Sequence, residues 1–243
     1  MAHTSESFDG LKVRLIGLLE QGRATLDDIA EIITQHAMKF DATQLAELKS
    51  ELSALEIGQK EIAQRIEHLY RKAIYDRTGI RTRLYFDEWV QRCENERQVA
   101  FIMADIDKFH DYNAAYGHLQ GDIALTEIAT QFNSAVDSSK DKAETVLVAR
   151  YGGEEFCALI TNYAKDENDM KRRLETARRA VEHTDIPLCE QIQPGDEGYR
   201  KRTITIAGGI RMADEPILSL VRRVDEALKT GKNRDQRNQS FLA

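Results

Sequence analysis

The stretch Val99-Ala100-Phe101-Ile102-Met103-Ala104 is apolar without interruption and runs straight into Asp105-Ile106-Asp107. A run this short, with no polar alternation, predicts a buried strand, and its end delivers carboxylates to the rim of a core. The residues after it keep changing period. Helical spacing recurs over 123–136, 167–182 and 216–229. Strand-like runs occupy 144–151, 156–161 and 202–211. Residues 185–202 hold two of the three prolines, two glycines and many charges, and read as a loop. Strands alternating with helices predict an α/β or α+β sheet domain.

The first 74 residues are different. Phe8, Leu11, Leu15, Leu18 and Leu19 recur at helical spacing, with Gly22 as a stop. Thr25 as a cap, with Asp27 and Asp28 in the first turn, predicts a second helix carrying Leu26, Ile29, Ile32, Ile33 and Met38. Leu45, Leu48, Leu52, Leu55, Gln59, Ile62, Ile66, Leu69 and Ala73 then alternate at spacings of three and four. That is a heptad seam with one polar position, and Glu47, Glu51, Lys60, Arg65 and Glu67 lie outside it. It predicts a coiled coil over about residues 43–74 that joins two copies of the chain; one amphipathic helix packed on its own domain is the other reading. The expected organisation is an all-α helical region, 1–74, and a sheet domain, 75–243.

Composition excludes several functions. With 34 basic and 41 acidic residues the net charge is −7, which disfavours nucleic acid and anionic membranes as partners. The longest apolar runs fall far short of the roughly 20 residues of a membrane span, and the N-terminus lacks a secretory pattern. Cys93, Cys157 and Cys189 show neither metal-ligand nor disulfide spacing, so a cytoplasmic location is expected.

Chemistry concentrates in two places. One is Asp105-Ile106-Asp107; the other is Arg150-Tyr151-Gly152-Gly153-Glu154-Glu155-Phe156, where a Gly-Gly turn lets a hairpin approach a ligand. Were the two strands neighbours, several carboxylates would converge and call for a cation such as Mg²⁺, which shares its shell with phosphates. An exposed acidic hairpin tip is the plainer reading of Gly-Gly-Glu-Glu alone. Further on, Gly117 and Gly121 are expected to break the path before the next helix, flanked by Asn113 and Asp122. An amide and a carboxylate of this kind can read a guanine edge, or merely cap turns.

Residues 150–156 together with 105–122 resemble the GGDEF domain of diguanylate cyclases, in its GGEEF form. The resemblance covers about residues 70–238. Asp76-Arg77-Thr78-Gly79-Ile80-Arg81-Thr82-Arg83-Leu84-Tyr85-Phe86 resembles the family's entry motif, 203–210 its late strand, and Val224-Asp225-Glu226-Ala227-Leu228 with Lys232 its closing helix. It implies a palm-like nucleotidyl cyclase fold that condenses two GTP into cyclic di-GMP and two pyrophosphates, with one GTP per domain and two domains face to face. It implies that Asp105, the Ile106 carbonyl and Glu154 hold Mg²⁺ (or Mn²⁺) and that Glu155 activates the attacking 3′-hydroxyl. By the same resemblance Asn113 and Asp122 bind guanine. Phe109, His110, Gly152, Gly153, Lys232 and Arg237 complete the GTP site. A homodimer through the coiled coil follows, with a regulatory protein or ligand acting on the N-terminal helices.

The chain departs from the family pattern at several points. His110 stands in place of the usual lysine, Ala114 in place of an aspartate, and Thr82 in place of an asparagine. The entry motif is one residue short, and Arg237 lies one position further from Lys232 than usual. The family's product-inhibition motif, R-x-x-D, is absent, since Ala143 and Val146 occupy its positions; Arg222-Arg223-Val224-Asp225 matches its letters but falls in the closing helix. The alternative function is a degenerate, non-catalytic GTP-binding module that regulates a partner through the stalk. His110 and Ala114 favour it; Asp105, Glu154 and Glu155 oppose it. A mixed cyclic dinucleotide is a third reading, and Asp122 argues against it.

Overall fold

The computed structural model of the chain describes residues 8–20, 28, 32, 44, 59–190 and 198–243. Contacts divide the chain into two compact units, Met1–Ile74 and Tyr75–Ala243. In the first, α1 spans Phe8–Glu20 and α2 spans Gln59–Ile74. Leu11 and Leu15, one helical turn apart, are buried. The stop at Gly22, most of the second expected helix and the heptads from Leu45 to Leu55 lie outside the described residues.

The second unit is a sheet covered on both faces. In chain order it comprises α3 (Arg83–Arg92), β1 (Val99–Ile106), α4 (Phe109–Ser138), β2 (Thr145–Arg150), β3 (Glu155–Thr161), α5 (Glu167–Glu182), β4 (Ile204–Ile210), α6 (Ile217–Asn233) and β5 (Ser240–Leu242). The sheet order is β2-β3-β1-β4-β5. All pairings are antiparallel except β4 with β5.

The continuous apolar run of β1 now has its cause. Ala100, Ile102, Ala104 and Ile106 face a core built with α4 and α5 residues such as Phe132 and Leu174. Val99, Phe101 and Met103 face a second core, with Phe86 of α3 and Leu220 and Val224 of α6. Every residue of β1 is buried, so neither face tolerates a polar alternation.

Three elements differ from expectation. Helix α3 was not foreseen; Thr82 caps it, accepting from the Tyr85 amide at 3.3 Å. The helix expected over 123–136 begins at Phe109 and kinks only at Gly117, whose φ of 81° suits glycine. Gly121 does not break the path: it stays helical, and the Asn113 side chain lies against it. The third is β5, a short strand added in parallel beside β4. Arg223, within the motif-like letters of the closing helix, is a tie: it donates to the Ile210 carbonyl and Glu215 at 2.9 Å, and to Ala243.

Candidate active site

The β1–β3 register sets Asp105 opposite Glu155. The hairpin between β2 and β3 folds back over the end of β1, where the Ile106 amide donates to the Glu154 carbonyl at 3.1 Å. Within the turn, the Tyr151 and Gly152 amides both donate to the Glu155 carbonyl, at 2.8 and 3.3 Å. A Cβ on Gly152 would meet the Glu155 carboxylate, so the missing side chain is what lets that carboxylate lie there.

Three carboxyl groups thus share the end of β1, and each titrates above its ordinary range. Burial pushes Asp105 up; its ion pair with Lys232 opposes this, and Asp107 adds to it. For Glu154 burial comes first, then the Asp105 charge, with Lys232 opposing. For Glu155 burial again leads, followed by Asp105 and Asp225. Lys232 of α6 is the cation set among them. Asp107 is turned away. It accepts from the Thr203 and Thr205 hydroxyls at 2.8 and 2.6 Å and from the Asn238 amide at 2.9 Å.

Among the described residues, no three His, Cys, Asp or Glu side chains are grouped to enclose an ion by themselves. The donor set that is present, mutually repelling carboxylates at the end of β1, fits a hard cation that draws its remaining ligands from water and phosphate.

The other expected site residues fall around this centre. His110 is exposed and its charge is felt by Glu154. The Phe109 side chain is core, stacked on Tyr112 at 6.0 Å, so only its backbone can face a ligand. The Asn113 amide oxygen is buried without a hydrogen-bond partner and lies against Gly121, the neighbour of Asp122. Asp122 is exposed, with Arg77 3.6 Å away. Gly153 is exposed at the tip of the turn. Arg237 is half-buried between Asp235 at 3.3 Å and Asp107 at 3.9 Å.

One residue of the site carried no expected role. Arg150, at the end of β2, donates to the carbonyls of Gly152 at 3.2 Å and Gly153 at 2.5 Å and to Asp76 at 3.1 Å. It holds both ends of the glycine turn. Asp76 also accepts from the Thr78 amide and hydroxyl at 3.0 and 2.9 Å. Its place two residues before the Gly-Gly pair was the available signal.

A mixed five-stranded sheet carrying an acidic hairpin against a carboxylate-ended central strand defines a class, and the family comparison agrees. The family model "Diguanylate cyclase, GGDEF domain" matches residues 73–239, and the chain belongs to that family. Diguanylate cyclase VdcA of Vibrio cholerae is 26% identical over 228 residues, covering 88% of this chain and 61% of that protein. Diguanylate cyclase DgcZ of Escherichia coli is 30% identical over 161 residues, covering 65% of this chain and 48% of that protein. The chain thus spans less than two thirds of the length of these relatives. Among solved structures, the coiled coil and GGDEF domain of DgcB from Caulobacter crescentus, in complex with c-di-GMP, has the same fold. Its TM-score is 0.63 at 23% identity, covering 81% of this chain and 99% of that one. Diguanylate cyclase SiaD of Pseudomonas aeruginosa, in complex with its activator SiaC, gives a TM-score of 0.57 at 25% identity, over 96% of this chain and 88% of that one. No helix among the described residues is long and apolar enough to cross a membrane.

Proposed function

We propose that the chain is an active diguanylate cyclase, condensing two GTP into cyclic di-GMP and two pyrophosphates. The observation that carries this reading is the register pairing of Asp105 with Glu155 under the Gly-Gly turn, with Glu154 beside them. Asp105, Glu154 and the Ile106 carbonyl would hold Mg²⁺ or Mn²⁺, which when bound supplies charge stabilisation to the phosphates. Glu155, its affinity for a proton raised by burial and by Asp105, takes the proton of the attacking 3′-hydroxyl. The 3′-oxygen forms a bond to the α-phosphorus of the second GTP. The bond from that phosphorus to pyrophosphate breaks, and its electron pair leaves on pyrophosphate; the same displacement with the two nucleotides' roles exchanged closes the ring and releases the second pyrophosphate. Lys232, which pairs with Asp105, would supply positive charge to the phosphates. Asn113 and Asp122 read guanine, and the unpartnered Asn113 oxygen supports this.

Gly121→Ala tests the base site. A methyl group there would displace the Asn113 amide. GTP affinity should fall about tenfold, the worth of one buried hydrogen bond, in equilibrium binding with the melting temperature little changed. Unaltered affinity would remove Asn113 from the base site.

Two domains must meet for this reaction, and we assign their pairing to the heptad seam. The Leu52→Lys, Ile66→Lys double variant should sediment as a monomer and lose most of its activity, because pairing sets the effective concentration of one site for the other. A monomeric wild type with full activity would contradict this. A regulatory protein acting on the N-terminal unit is supported by the likeness to SiaD with its activator. Val146, half-buried on β2, and exposed Ala143 offer no charge at the expected inhibition site. Excess cyclic di-GMP should therefore leave the initial rate unchanged, and strong noncompetitive inhibition would refute the assignment.

A further inference from the structure

Asn113 and Asp122 lie on opposite sides of a break in one helix. Asn113 precedes and Asp122 follows Gly117, where the backbone of α4 leaves helical angles (φ 81°, ψ 160°). A helix carries its direction from turn to turn through its hydrogen-bond ladder, and a kink interrupts that ladder. Side chains must therefore fix the angle between the two segments. That angle sets the spacing between the Asn113 amide and the Asp122 carboxylate.

Tyr112 and Gln120 span the break. Gln120 of the second segment is fully buried and donates through Nε2 to the Tyr112 hydroxyl of the first, at 3.1 Å. Next to that bond, Gly121 lies against the Asn113 side chain. The pairs 112–120 and 113–121 thus form two adjacent rungs across the kink. Both ends of the Gln120 amide are used: Nε2 also donates to the Pro187 carbonyl at 2.9 Å, and Oε1 accepts from the Cys189 amide at 2.8 Å. These partners fix which way the amide points. Tyr112 is 1% exposed, and its hydroxyl donates to the Tyr199 carbonyl at 2.9 Å. Burial pushes that hydroxyl up, so it stays protonated and able to donate. The Arg202 guanidinium lies over the Tyr112 ring, 4.6 Å from the centroid, and donates to the Gly198 carbonyl at 2.9 Å. Both ends of the connection from α5 to β4 are therefore pinned to the kink.

We propose that the hydrogen bond between Tyr112 and Gln120 is a strut that sets base selectivity, holding Asn113 and Asp122 at the spacing at which both reach one guanine. The two residues are positioning residues: both are buried, and they act through their neighbours without contacting the nucleotide. The assignment rests on the reading of Asn113 and Asp122 as the base site. A buried polar network with every member paired rigidifies its surroundings and specifies one geometry, which apolar side chains at the same positions would not do to the same degree.

The test is equilibrium binding of GTP and ITP to the full chain and to Tyr112→Phe, Gln120→Met and the double variant. The two nucleotides differ only in the exocyclic amine from which the Asp122 carboxylate would accept. Phenylalanine keeps the ring and removes one hydroxyl; methionine keeps the length of glutamine and removes its donor and acceptor. Each single variant should weaken GTP about tenfold, the worth of one buried hydrogen bond. ITP has no amine contact to lose and should weaken by no more than about threefold. The double variant should lose no more than the larger single, because both changes remove the same strut. Equal weakening of GTP and ITP, an unchanged preference for GTP, or additive losses would each overturn the proposal, since the pair would then hold only the fold. If Gln120→Met does not fold, the GTP-to-ITP ratio of Tyr112→Phe decides alone. A wild type that binds GTP and ITP equally overturns the base-site reading instead.

Discussion

Glu155→Gln should reduce cyclic dinucleotide formation at least about a hundredfold, the lower end of what a positioned general base contributes, while the melting temperature holds or rises. The backbone of Glu155 ties the turn, accepting from the Tyr151 and Gly152 amides, and the substitution leaves both bonds in place. The side chain is a different matter. Its carboxylate is half-buried and shares the end of β1 with Asp105 and Glu154, so burial and like charge both oppose its ionisation. An isosteric neutral amide removes that repulsion, which is why stability should not fall. Lys229 and Lys232 offset only part of that repulsion, whereas the chemistry depends on the charge. Turnover with pyrophosphate release and thermal melting on the same preparation separate the two effects. Activity within a few-fold of wild type would remove Glu155 from the proton-transfer role.

The second large effect is expected at Arg150→Ala. This guanidinium binds the carbonyls of Gly152 and Gly153 and the Asp76 carboxylate, so its loss frees a turn that has no side chains of its own to fix it. Misplacing the hairpin by about 1 Å is enough to cost roughly a hundredfold in rate. Removing one partner of this partly buried pair should also destabilise the domain by about 1–3 kcal/mol, below the cost at a fully buried pair because solvent screens part of it. Asp76 gives the pH signature. Burial alone would raise its carboxyl group, but the Thr78 amide and hydroxyl and the Arg150 charge outweigh it and hold it below its ordinary value. A depressed acid contributes stability that is complete above its unfolded value and is lost as pH falls through the folded one. The stability gap between wild type and Asp76→Asn should therefore be constant near neutrality and close on acidification below about pH 4. Urea melts at stepped pH measure it, and a gap that widens on acidification would contradict the assignment.

Local pattern made the centre of the site legible and left its supports hidden. The apolar run of β1 and the Gly-Gly turn each show in a few consecutive residues, because burial on both faces and turn geometry constrain neighbours directly. Helix α4 was misjudged at its start because Gly117 and Gly121 both look like breakers. Only the first takes a positive φ; the second stays helical and gives space to Asn113. Strand β5 has three residues and exists because β4 offers it an edge, which no local propensity encodes. Arg150 reaches Asp76 across 74 positions, and Arg202 is positioned by Tyr112. Such pairings are set by the fold, so a residue's type alone does not announce them. The positions that resemble the family motifs, by contrast, are contiguous and could be matched letter by letter.

The most direct measurement is product identification by mass after incubating the purified chain with Mg²⁺ and GTP, alone and with ATP. The cyclase reading predicts cyclic di-GMP with two pyrophosphates released per product, and no mixed dinucleotide when ATP is present. GTP bound but unconverted under every condition would contradict it and leave a nucleotide-binding module in its place.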